Sequence, residues 1–222
     1  MFHRLSNAFV NLYLIEEPNE TNGLTLIDAG LAKSATQLVL RKIAELGRQP
    51  NDLKRILITH ADADHYGSAA ELKAITGARL YASAAEAEAM RQGRTSRKIG
   101  GGIFMNAAMG LLERTIMKMP PAQVDDVLVV GQVLPVLGGL HVIASLGHTP
   151  EHVSFYAPAH KLLFVGDSLN ANSGKLRWVK GSIQWNNDAG LASARELAKL
   201  GAHTVCCGHG VVITGNNIGF PS

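Results

Sequence analysis

The feature that most constrains this chain is a run of four metal-capable side chains within six residues, His60-Ala61-Asp62-Ala63-Asp64-His65. It follows directly on a short apolar strand read over Arg55 to Thr59, and Tyr66 to Ile75 after it reads as a helix stopped by Gly77. A loop at a strand's C-terminal end turns alternate side chains toward one point, and the flanking strand and helix hold it there. Imidazole and carboxylate together suit zinc, iron or manganese. The intervening alanines offer no competing donor. The simpler alternative is an aspartate, Asp62 or Asp64, capping the helix that follows; capping uses one such side chain and accounts for neither histidine.

Three more features of the same kind occur later. Ser145-Leu146-Gly147-His148-Thr149-Pro150 puts a histidine on a turn after an apolar strand. Phe164-Val165-Gly166-Asp167 ends a strand on a carboxylate, and Cys207-Gly208-His209-Gly210 sets a histidine between glycines after the last long strand. Sites in α/β proteins gather at such strand ends. A lone histidine beside glycine is ordinarily a turn residue; four such features in this order exceed what turns explain.

Around them the pattern alternates. Phe9 to Ile15 and Leu24 to Ile27 read as strands, the second ending at Asp28-Ala29-Gly30. Ser34 reads as the N-cap of a helix with Ala35, Leu38, Val39, Ile43 and Leu46 on one face and Gly47 as its stop. Leu80 to Ala82 reads as a strand and Ala84 to Gln92 as a helix, so the chain opens β-β-α-β-α-β-α. Short strands follow at Val127 to Val130, Val133 to Val136, His141 to Ser145, Val153 to Tyr156 and Leu162 to Val165. Asp188 reads as the N-cap of a helix through Leu200, and Thr204 to Cys207 as a strand. Helices in both halves around many strands predict a layered α/β sandwich. The 222 residues are read as a single domain, with a helical insert at about 94–123 in which Phe104 to Met119 is the helix.

Composition removes several function classes. A net charge of +3 is too mild for nucleic acid, and the cluster Arg91, Arg94, Arg97 and Lys98 reads as a solvated helix end. No apolar stretch approaches the length of a membrane span. The N-terminal apolar run, broken by Asn11 and followed by acidic residues, reads as a strand and not as an export signal. Adjacent Cys206 and Cys207 cannot form an ordinary disulfide with each other, so a cytoplasmic setting is expected. Gly100-Gly101-Gly102 lacks the strand and the Lys-Ser/Thr of a phosphate loop. His152 reads as a supporting or surface residue, Cys207 as a core thiol with a thiolate ligand as the alternative, and Tyr66 as a core residue or an oxyanion donor. Trp178 and Trp185 read as pocket or packing residues.

The order and spacing of these motifs resemble the metallo-β-lactamase superfamily, whose pattern is Thr-His-x-His-x-Asp-His, then Gly-His-Thr, a Gly-Asp pair and Gly-His-Gly. The resemblance runs from about residue 9 to 211, and Leu24 to Gly30 is similar to the family's early strand ending in aspartate. It implies a four-layer αββα sandwich holding two divalent metal ions. His60, Asp62 and His148 would form one site, Asp64, His65 and His209 the other, with Asp167 bridging. The implied chemistry is hydrolysis of a small ester, thioester or lactone through a metal-bound hydroxide, as in glyoxalase II and lactonase members, with Asp64 also orienting the hydroxide as a proton acceptor.

One position departs from the pattern: residue 62 is Asp where the family ordinarily has His. The implied shell of two divalent metals, three carboxylates and a hydroxide then sums to about zero, one positive charge fewer than usual. That lowers Lewis acidity and favours iron or manganese relative to zinc, which still leads. Two alternatives follow: an iron-dependent oxidoreductase, and a non-catalytic metal-binding relative. A small-molecule substrate is expected, with neither nucleic acid nor membrane as partner; whether the chain forms a homo-oligomer stays open.

Overall fold

The apolar runs become strands. The computed structural model describes residues 1–17, 23–97, 119–181, 183–216 and 218–221, and the chain divides into two compact units. The first takes residues 1–96 and 107–127, the second 97–106 and 128–222.

The first unit holds a sheet of six strands in chain order: β1 (Phe2–Asn7), β2 (Val10–Glu16), β3 (Leu24–Ile27), β4 (Leu53–Leu57), β5 (Arg79–Ala82) and β6 (Asp126–Val127). β1, β2 and β3 pair antiparallel, whereas β3 to β6 run parallel. Parallel neighbours need crossovers, and helices supply them. α1 (Ser34–Glu45) joins β3 to β4; α2 (Ala63–Tyr66) and α3 (Ala69–Thr76) join β4 to β5; α4 (Ala84–Arg91) follows β5. Every residue from Val10 to Ile15 is buried, as is all of β3, which is why both read as unbroken apolar runs. On α1 the buried Ala35, Val39 and Ile43 recur every four residues, and Leu38 and Leu46 flank the same core. Gly77, at φ +71, ends α3 with its N–H on Lys73 O.

The second unit holds the strands β7 (Val133–Leu134), β8 (Leu140–Ala144), β9 (Val153–Ala157), β10 (Leu162–Gly166), β11 (Thr204–Cys207) and β12 (Ile213–Thr214). They are ordered β12-β11-β10-β9-β8-β7, antiparallel except for β10 with β11. That parallel pair is joined through α5 (Asn187–Ala198), whose Ala194 and Leu197 pack with Leu163, Val165 and Val205. Two mixed sheets with helices make this an α/β fold, as expected.

Several element boundaries differ from the sequence reading. β1 was not foreseen; its alternating burial gives a weaker apolar signal than β2. The helix expected from Tyr66 starts at Ala63 and is broken in two. Its corner packs so closely on the 30–32 turn that a Cβ on Gly67 would lie 2.6 Å from Ala32 N. The runs Val127 to Val130 and Val133 to Val136 shrink to two-residue strands about a turn at Gly131, φ +86. Asn186, not Asp188, caps α5, accepting from Ala189 N–H at 3.0 Å. The helix expected over Phe104 to Met119 lies, apart from Met119, outside the described residues, as does Gly100-Gly101-Gly102.

Gly147, which precedes His148, has φ +131, and a Cβ there would lie 2.3 Å from Gly190 Cα in α5. Gly147→Ala is therefore expected to lower stability by about 1–3 kcal/mol. The loss in urea unfolding should exceed that of Gly174→Ala, where the backbone is also left-handed but the added Cβ meets open space.

Candidate metal centre

Register explains why chemistry collects at one end of each sheet. In the first unit Ile27 pairs with Leu57, so the residues that follow β3 and β4 emerge side by side. Asp28 follows the first strand and Ile58-Thr59-His60 the second. Asp28 is buried and adopts φ 59, a left-handed conformation that aspartate tolerates better than most side chains. Its carboxylate accepts from Thr59 N–H at 2.9 Å, from Thr59 Oγ1 at 2.9 and 3.0 Å, and from His65 Nδ1 at 2.8 Å. Glu86 of α4, fully buried, accepts from Ala61 N–H at 2.7 Å and so holds the backbone between His60 and Asp62.

These bonds set the histidine tautomers. Thr59 spends its one hydroxyl proton on Asp28, so its oxygen accepts from His60 Nδ1 at 3.0 Å. His65 Nδ1 donates to Asp28. Both rings therefore turn the lone pair of Nε2 away from these anchors. His60 Nε2 stands 3.5 Å from Asp62 Oδ2, and His65 Nε2 stands 3.8 Å from Asp64 Oδ2. The two ring centroids are 4.1 Å apart. Asp62 occupies the position before α2 but its side chain makes no capping bond to that helix, so the helix-cap alternative fails for it.

In the second unit β8, β10 and β11 end on one edge. The turn from Ser145 to His152 joins β8 to β9 and carries His148, while Gly166 pairs with Cys207, so Asp167 and Gly208-His209 leave together. His209 Nε2 lies 3.1 Å and His148 Nε2 3.7 Å from the same oxygen, Asp167 Oδ2. Gly210 has φ +93 and its Cα abuts Ala171, whose N–H donates to His209 O at 3.0 Å. The His148 turn is clamped by Trp185 N–H on His148 O and Asn186 N–H on Gly147 O.

Each half thus passes a chemical test for a divalent metal. In the first unit His60 and His65, with Nδ1 engaged elsewhere, turn Nε2 toward carboxylate oxygens. In the second His148 and His209 bring Nε2 near one Asp167 oxygen, with the Arg97 guanidinium also against His148 Nε2. Imidazole and carboxylate are the donors that zinc, iron or manganese sites use. His60, Asp62, Asp64 and His65 meet in the first unit, and His148, Asp167 and His209 in the second.

The sequence reading missed some of the supporting residues. It does not single out Glu86 and marks Asp28 only as the aspartate ending a strand; their supporting contacts appear only through the pairing of strands and helices. His152 is buried, its Nδ1 donating to Ser145 Oγ at 2.7 Å and its Nε2 accepting from Asp167 N–H at 3.2 Å. It is a neutral imidazole that fixes the backbone at Asp167. Arg97 does not belong to a solvated helix end: its guanidinium lies against His148 Nε2. Arg91, paired with Glu88 at the exposed end of α4, does fit that reading, and Lys98 lies outside the described residues. Tyr66 is fully buried in the first core, and Trp178 packs beside the second, its indole against Gly190.

Burial, and then the Asp167 carboxylate, push the Cys207 thiol well above its ordinary range, so it is a neutral core side chain. Neither cysteine is expected to react with a thiol reagent in the folded chain, and both should react in denaturant. Asp28→Asn keeps a side chain that suits the left-handed backbone but replaces one acceptor oxygen by a donor amide. It is expected to weaken metal binding about 10–100-fold in a chelator competition.

A family model described as the metallo-beta-lactamase superfamily matches residues 6–209. The chain is 30% identical over 216 residues to the protein YobT of Bacillus subtilis (strain 168), covering 90% of this chain and 83% of that one. It is 25% identical to the probable metallo-hydrolase YflN of the same organism, covering 97% and 86%. A hydroxyacylglutathione hydrolase of Cereibacter sphaeroides (strain ATCC 17029 / ATH 2.4.9) is 30% identical over 77% of this chain, which spans only 52% of that protein. Among solved structures, a metallo-beta-lactamase family protein from Thermus thermophilus has TM-score 0.71 and 27% identity, covering 96% of this chain and 74% of that one. With its two mixed sheets and its helices, the chain has the α/β sandwich fold of these proteins and belongs to the metallo-β-lactamase superfamily of metal-dependent hydrolases.

Proposed function

We propose that the chain hydrolyses a small ester, thioester or lactone at a dinuclear metal centre. His60, Asp62 and His148 would hold one divalent ion and Asp64, His65 and His209 the other, with Asp167 available to both. The observation that carries this reading is the presentation of histidine Nε2 atoms to carboxylate oxygens at 3.1–3.8 Å in each unit. Family membership supports joining the two sets in one centre. A metal pair bound there supplies Lewis acidity toward the substrate carbonyl and lowers the pKa of water.

The chain's own residues do the rest. Asp64, with a side chain 20% exposed against 12% for Asp62, is the better placed carboxylate to accept a proton from attacking water. Asp28, Glu86 and His152 keep the donors in place from behind. Zinc leads as the metal, and the carboxylate at 62 moves the preference toward iron or manganese. An iron-dependent oxidoreductase is the second reading, favoured by that same carboxylate. Similarity to relatives named hydroxyacylglutathione hydrolase supports hydrolysis of an acyl group as the first reading, and recognition of glutathione is not carried over from proteins of which this chain spans about half. The mild charge of +3 favours a small molecule over nucleic acid, and two buried thiols favour a cytoplasmic setting. No helix among the described residues is long and apolar enough to cross a membrane.

The test is elemental analysis of the purified chain combined with turnover of an S-acyl thiol, an aryl ester and a lactone. About two metal ions per chain are expected, with turnover falling about 100-fold or more on chelation and returning with zinc or manganese. Asp167→Asn should lower both metal content and turnover. Hydrolysis indifferent to chelation, or loaded protein that turns over none of the three, overturns the reading.

A further inference from the structure

We propose that Thr95 positions Asp62, so that the two together act as a one-oxygen metal ligand in the place where the family's pattern has histidine. This rests on the metal reading above. Thr95 Oγ1 donates to Asp62 Oδ1 at 2.7 Å, while Asp62 Oδ2 lies 3.5 Å from His60 Nε2. A histidine ligand offers one nitrogen while its second ring nitrogen is held by a partner, as Thr59 holds His60 and Asp28 holds His65. A carboxylate has two equivalent oxygens and a broad terminal torsion, so by itself it alternates between one-oxygen and two-oxygen binding. A hydroxyl on Oδ1 breaks that equivalence. It fixes the plane of the carboxylate and leaves Oδ2 as the donor atom beside His60.

The fold builds this contact into the chain reversal after α4. Gly93 and Arg94 close the helix with bonds to Met90 O and Ala89 O, and Gly93 takes φ +66. A Cβ on Gly93 would lie 2.7 Å from Met119 O, so only glycine lets the chain turn back here. Thr95, 9% exposed, is then brought to Asp62 across 33 residues of sequence. As a β-branched side chain it holds its hydroxyl in few rotamers, which suits a fixed donor.

The experiment measures Zn²⁺ affinity by chelator competition on the full chain, for wild type, Thr95→Ser, Thr95→Val and Thr95→Ala, and for Asp62→Ala with and without Thr95→Val. Thermal unfolding of each metal-free variant reports the fold separately. Thr95→Val and Thr95→Ala are expected to weaken zinc about tenfold or more, and Thr95→Ser by less than about threefold. In the Asp62→Ala background the Thr95→Val effect should vanish, because the carboxylate that the hydroxyl holds is gone. An equal loss in both backgrounds, or failure to fold in either, makes Thr95 a purely structural residue and overturns the assignment. If Asp62→Ala weakens zinc but Thr95→Val does not, Thr95 alone is wrong. If Asp62→Ala leaves zinc affinity unchanged, the metal reading of Asp62 fails first and the role of Thr95 fails with it.

Discussion

The Asp28 carboxylate organises the first unit. It is buried at the end of β3 and satisfied by two groups of Thr59 and by His65 Nδ1. A buried carboxylate without such donors is strongly unfavourable, and breaking one buried pairing costs about 3–5 kcal/mol. The pairing of β3 with β4 brings the donors within reach, and the donors in turn make the buried charge tolerable. The consequences reach both histidines. His65 is held directly and His60 through Thr59, so one carboxylate fixes two rings and leaves both Nε2 atoms facing Asp62 and Asp64.

The second unit solves the same problem with a neutral group. His152 stands behind Asp167 and bonds its backbone, and the ring is itself held by Ser145, which accepts from Ser154 at 2.7 Å. Asp167 then presents one oxygen to two histidines. Glycines make the backbone approaches feasible: Gly147 meets α5 and Gly210 meets Ala171 at distances that leave no room for a Cβ. The Gly-His-Thr and Gly-His-Gly patterns are therefore packing requirements as well as marks of chemistry.

Position 62 is where this chain departs from the motif pattern that its sequence resembles. A third carboxylate makes the proposed centre less electrophilic, and a less electrophilic centre suits an activated acyl group better than a resistant amide. On the proposed reading, the Thr95 hydrogen bond to Asp62 makes the exchange of imidazole for carboxylate conservative in geometry, while leaving it non-conservative in charge.

Much of this was legible in the sequence. Most of the longer strands followed from apolar runs, because β2 and β3 are buried throughout and show it in composition, while β1 and the two-residue strands are too exposed or too short to do so. The donor residues stood out because a strand end concentrates them locally: four lie between His60 and His65. The supporting residues did not. Asp28 reaches His65 across 37 residues, Glu86 reaches Ala61 across 25 and Thr95 reaches Asp62 across 33. The sequence by itself determined which side chains offer imidazole and carboxylate donors, since that depends on residue type and short spacing. Only the tertiary structure decided how His60, His65 and Asp62 are turned, because that depends on hydrogen bonds that lead back to residues distant in the chain, Asp28 and Thr95.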